Sequence, residues 1–176
     1  MTTVFFDVDT QLDFMYPAGA LYVPGAEKLV ATLTKLTRFA AGHGLPIIAT
    51  MDAHSEDDPE FRTWRPHCVA GTMGQQKVSG TRAAGQILIE KQTIDCFSNP
   101  NLSALLERLK ADRFVVYGVA TEVCVQCAAL GLLKTGARVE LVTDAIKALS
   151  EADEQHMIER FRAQGGSTVK SSDVLA

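Results

Sequence analysis

The stretch FVVYGVATEVCVQCAALG, Phe114 to Gly131, runs from a β-rich apolar segment straight into one of helical spacing. Phe114–Val119 reads as a strand, and Glu122–Thr135 as a helix apolar almost all round, hence buried. The same alternation extends outward in both directions. Val4–Val8, Pro46–Thr50, Gln86–Glu90 and Arg138–Thr143 have strand character, and Ser167–Lys170 adds a short last strand. Between them, Glu27–Gly42 places Leu29, Val30, Leu33, Leu36, Phe39 and Ala40 at helical spacing and stops at glycine. Asn101–Lys110 offers Leu102, Leu105, Leu106 and Leu109, and Glu151–Gln164 ends at Gly165-Gly166. Strands alternating with helices predict an α/β fold of three layers, α/β/α, around a mostly parallel central sheet of about six strands. Neither a linker nor a repeat interrupts the chain, so residues 1–176 are expected to form a single domain.

Composition narrows the functions open to such a chain. A net charge of −4 leaves no basic excess to neutralise phosphates, so nucleic acid is not an expected partner. No apolar run approaches the roughly 20 residues that span a bilayer, so no membrane partner is expected either. The opening MTTVFFDVDTQLDF lacks a basic leader and carries Asp7, Asp9 and Asp13 within its apolar stretch, unlike an export signal. Cys68, Cys96, Cys124 and Cys127 are therefore expected as free thiols in a cytoplasmic protein.

In parallel sheets, ligands sit beyond the carboxyl ends of the strands. Asp9, Met51–His54, Lys91 and Val119–Cys124 fall there. Asp9 has an alternative use as a turn residue, and it shares strand parity with Asp7, so both carboxylates are expected on one face. Lys91 ends an apolar strand and is either a solvated lysine or the partner of Asp9. An ammonium and a helix N-terminus near Cys124 would favour its thiolate, whereas Cys127 lies one turn further in and reads as a small packed residue. Cys124-Val-Gln-Cys127 also has the spacing of a redox dithiol. The long segment Asp52–Gly85 lacks periodicity, which points to a functional loop. Within it Asp52, His54, Glu60 and His67 form a donor set suited to one divalent transition metal, Zn²⁺, Fe²⁺ or Mn²⁺. Cys68 adjoins His67, but neighbouring residues rarely converge on one ion, and Cys96 reads as packing.

Taken in order, Asp9-Thr-Gln11-Leu-Asp13-Phe14, Asp52-Ala-His54, Trp64-Arg-Pro-His67-Cys-Val-Ala-Gly71-Thr72, Lys91 and Gly118-Val-Ala-Thr121-Glu-Val-Cys124 resemble the isochorismatase-like cysteine hydrolases, most of all the nicotinamidases. The resemblance spans nearly the whole chain. It implies the isochorismatase-like hydrolase fold and a catalytic triad of Asp9, Lys91 and Cys124. It implies a cis peptide between Val119 and Ala120, and an oxyanion hole from the backbone N–H groups of Ala120 and Cys124. Phe14, Trp64 and Val119 would enclose the substrate ring. Asp52, His54 and His67, with Glu60 in the variable place, would hold the metal. The activity implied is hydrolysis of nicotinamide to nicotinate and ammonia through a cysteine thioester, within NAD salvage, by a homo-oligomer. Another small amide or carbamoyl substrate is the alternative within the fold.

Overall fold

A computed structural model describes residues 1–176. Its strands are β1 (Thr3–Val8), β2 (Ile47–Asp52), β3 (Ile87–Lys91), β4 (Arg113–Val119), β5 (Arg138–Lys147) and β6 (Ser167–Val169). They form one sheet in the order β3-β2-β1-β4-β5-β6, every neighbouring pair parallel. The chain winds outward from β1 to one edge and then from β4 to the other. A crevice therefore opens where the two halves diverge, at the carboxyl ends of β1 and β4.

The alternation of β1 explains the layers. Val4, Phe6 and Val8 face one side and Phe5 the other, and all four are almost fully buried. The helices are α1 (Leu12–Met15), α2 (Val30–Gly42), α3 (Pro100–Leu109), α4 (Gln126–Leu133), α5 (Glu151–Ala163) and α6 (Ser171–Leu175). α3, α4 and α5 cover the first side through Leu102, Ala128, Leu132, Met157 and Phe161. α2 and α6 cover the second through Leu33, Leu36, Ala40 and Val174, against Val115 and Tyr117. Each fully buried Leu or Phe stabilises this sandwich by roughly 1.5–3 kcal/mol. Caps fix the helix starts: Asn99 accepts from Asn101 N at 3.0 Å ahead of Pro100, and Ser150 accepts from Asp153 N at 3.2 Å.

Several details depart from the sequence expectation. β5 runs on to Lys147, and its register against β4 shifts between Val116 and Gly118. Gly118 sits at φ 126°, and a Cβ there would lie 2.0 Å from the Val8 carbonyl oxygen, so no other residue fits. The buried helix begins with a π-helical turn, Thr121–Val125, before α4 proper. α2 is preceded by a 3₁₀ turn at Ala26–Leu29. The segment after β2 is closed on itself by an isolated parallel bridge, His54 to Val69, and tied to the turn after β1 by an antiparallel one, Gln11 to Lys77. No helix is long and apolar enough to cross a membrane.

Candidate active site

Asp9 is the first residue beyond β1 and adopts φ 50°, which turns the chain out of the strand. That turn separates the two carboxylates that parity would have paired. Asp7 accepts from Lys77 Nζ at 2.8 Å inside the α2 layer, whereas Asp9 Oδ2 lies 2.9 Å from Lys91 Nζ. The Thr50 hydroxyl donates to Asp9 Oδ1 at 2.6 Å and fixes the carboxylate plane. Lys91 ends β3 beside Asp52, its register partner at the end of β2. Its ammonium is fully buried and touches Asp9, Asp52 and the Cys124 Sγ, the last at 3.6 Å. Burial alone would depress this lysine; the charges of Asp9 and Asp52 overcome it and hold the ammonium well above its ordinary pKa.

The thiol departs from expectation. Burial pushes the Cys124 pKa well above its ordinary value; Lys91 opposes this, but Asp9 and Asp52 add to it. Cys127 departs as well, being half-buried rather than core. It faces a separate groove with Phe97 and Leu130, away from the cavity that Cys124 lines. All four cysteines are free, and Cys96 is packed in the core.

Asp52, His54 and His67 bring ligand atoms within 4.8 Å of one another, all three residues buried. The two Nε2 atoms lie 3.6 and 3.4 Å from Asp52 Oδ2. Each ring is fixed from behind: His54 Nδ1 lies 3.0 Å from Asp58 Oδ2 and His67 Nδ1 2.7 Å from the Arg65 carbonyl. His54 Nε2 is buried with no protein hydrogen-bond partner, which fits a divalent cation between two imidazoles and a carboxylate. Burial raises the Asp52 carboxyl, but Lys91, His54 and His67 outweigh it and hold it well below the usual range. Glu60 stays outside this trio but lines the cavity next to it, and burial together with Asp52 raises its pKa. Cys68 is no ligand: its N–H donates to Asp13 Oδ2 at 2.7 Å and its sulfur points to the Gly74 carbonyl.

The cavity above Cys124 is narrow and mostly apolar, with ten hydrophobic residues among its thirteen. Phe14, Trp64, Val119 and Ala120 line it, with Asp52, Glu60 and His67 on the polar side. The Val119–Ala120 peptide is cis. Sequence reasoning missed the rim residues Leu21, Val23, Ile94 and Leu149. It also missed Phe61, whose ring centre is 5.2 Å from that of His54. Gln11, quoted only as part of a motif, clamps the Asp52 peptide. Its Oε1 accepts from Asp52 N and its Nε2 donates to Asp52 O, both at 2.8 Å.

With this geometry in place, residues 3–173 match the isochorismatase domain model. The chain belongs to the isochorismatase family. Within the family it is similar to the pyrazinamidase of Pyrococcus horikoshii, solved in complex with zinc, at 31% identity and a TM-score of 0.90, covering 97% of this chain and 99% of that one. It is 24% identical to the nicotinamidase of Escherichia coli over 94% of this chain and 93% of that protein. The N-carbamoylsarcosine amidase of Thermoplasma acidophilum is also similar, at 28% identity and a TM-score of 0.85, with 97% of each chain covered.

Proposed function

We propose that this protein is a cysteine-dependent amidohydrolase of the nicotinamidase type, converting nicotinamide to nicotinate and ammonia. One observation carries the reading: Asp52 and His67 of the Asp52–His54–His67 cluster line the same narrow apolar cavity as Cys124. A flat heteroaromatic amide can then meet a metal at its ring and a nucleophile at its carbonyl. The similarity to a zinc-containing pyrazinamidase and to nicotinamidases supports the same substrate class.

The proposed sequence starts with Asp9 as base. Asp9 takes the Cys124 proton, with the Lys91 ammonium in contact with both groups. The sulfur attacks the amide carbon. The N–H groups of Ala120 and Cys124 receive the oxyanion, an effect worth about 3–4 kcal/mol per donor in comparable sites. Protonated Asp9 returns its proton to the departing ammonia, and water cleaves the thioester to nicotinate and free thiol. Phe14 and Trp64 hold the ring flat and exclude solvent. When bound by Asp52, His54 and His67, a divalent ion (Zn²⁺, Fe²⁺ or Mn²⁺) supplies an electrophilic anchor for a pyridine nitrogen, directly or through water.

A redox role for Cys124 and Cys127 finds no support in their placement, since the two thiols face different cavities. A carbamoyl substrate is the competing reading that a neighbour favours. Ammonia release from nicotinamide and from N-carbamoylsarcosine, each with and without a chelator, separates the two. Nicotinamide hydrolysis that falls on chelation supports the proposal. Turnover of the carbamoyl compound alone, indifferent to chelation, refutes it.

A further inference from the structure

We propose that Asp58 is a positioning residue for the metal site, holding His54 in the one neutral tautomer able to ligate and fixing the turn that carries Glu60. The inference rests on the metal reading above. Asp58 is buried at 6% exposure, and its two oxygens have separate partners. Oδ2 lies 3.0 Å from His54 Nδ1, and Oδ1 accepts from Glu60 N at 2.9 Å at the start of the 3₁₀ turn Pro59–Arg62. An ionised carboxylate only accepts hydrogen bonds, so a neutral His54 ring must carry its proton on Nδ1. The lone pair is then left on Nε2, the buried atom without a protein partner that faces Asp52. His67 reaches the same state through the neutral Arg65 carbonyl. Of the two rings, only His54 has an anionic partner at Nδ1.

Asn cannot replace Asp58 in both roles. With its carbonyl on Glu60 N, its amide faces His54 Nδ1 and imposes the Nε2–H tautomer, which cannot ligate. Flipped, its amide meets the Glu60 N–H, and the turn loses its cap. Either way Asp58→Asn should weaken zinc binding by about 10–100-fold.

Two measurements test this. The first is nitrogen-15 imidazole spectroscopy of metal-free parent protein at alkaline pH, where the ring is neutral. His54 and His67 are expected as Nδ1–H, with exposed His43 and His156 as references. The second is zinc affinity by chelator competition for the parent and Asp58→Asn. A parent that binds no zinc sinks the metal reading and takes the role of Asp58 with it. A parent that binds zinc but holds His54 as Nε2–H overturns the role of Asp58 alone, and so does unchanged zinc affinity in a folded Asp58→Asn. The parent spectrum decides the matter even if that variant does not fold.

Discussion

Replacing Lys91 with Met keeps most of the side-chain volume and removes one charge from a fully buried place. Two carboxylates then face each other without their shared cation: Asp9, whose Oδ2 lay 2.9 Å from the ammonium, and Asp52. Coulomb's law at an effective dielectric of 20 puts the 2.9 Å contact near ~6 kcal/mol before desolvation is counted. Experience with removing one partner of a buried pair gives a net loss of about 3–5 kcal/mol. The expected result is therefore a loss of about 3–5 kcal/mol by urea unfolding of chelator-stripped protein, and ammonia release down by about 10²–10⁴-fold when parent and variant are both assayed with metal restored. Adding Asp9→Asn should recover about 1–3 kcal/mol, because one orphaned charge is gone and the Asn carbonyl still accepts from Thr50. Turnover should stay where Lys91→Met left it, since residues that act as a unit do not lose rate additively. A Lys91→Met protein within about 1 kcal/mol of the parent would refute the buried-pair argument. Rate losses that multiply in the double variant would show that Asp9 and Lys91 do not serve Cys124 together.

Cys124→Ala should abolish ammonia release from nicotinamide while Cys127→Ala keeps most of it; equal loss in two folded variants would revive the dithiol reading. Chelation and His54→Ala should each cost nicotinamide hydrolysis but leave the rate of Cys124 alkylation by a small electrophile close to that of the parent. Full activity in a sample shown metal-free by elemental analysis would end the metal assignment. Gly118→Ala should cost at least about 2 kcal/mol in denaturant unfolding, because its Cβ would meet the Val8 carbonyl at 2.0 Å. Parent-like stability would refute the close approach of β1 and β4 at this position.

Much of the site was legible because strand ends can be seen in a sequence. Asp9, Asp52, Lys91 and Val119 each close or immediately follow an apolar run, and parallel topology alone brings such positions together. What escaped is written in geometry rather than in residue type. Gln11 acts through the Asp52 peptide, and backbone partners leave no pattern in the letters. Asp58 stands four residues after His54 in an acidic run, a spacing visible in principle but indistinguishable there from a solvated loop. The end of β5 was missed because Asp144 breaks the apolar run; it earns its place by accepting from the Ser171 N–H and hydroxyl at the start of α6. The burial of Cys124 was not legible either, because it depends on the whole fold.

The pairing of β1 also dictates an order of assembly. Its first strand partner, β2, follows soon after it in the chain, but its other edge waits for β4, with Thr3 opposite Arg113. While the protein is being made, that second edge is an open template until residue 119 has left the ribosome. Cys124 emerges only after β4 is complete, with β5 and β6 still to be made. Contacts of such long sequence separation make folding slow for a chain of this size. A nascent-chain binder that shields β1 should raise the yield of protein, and synonymous changes that pause translation before residue 113 should lower it.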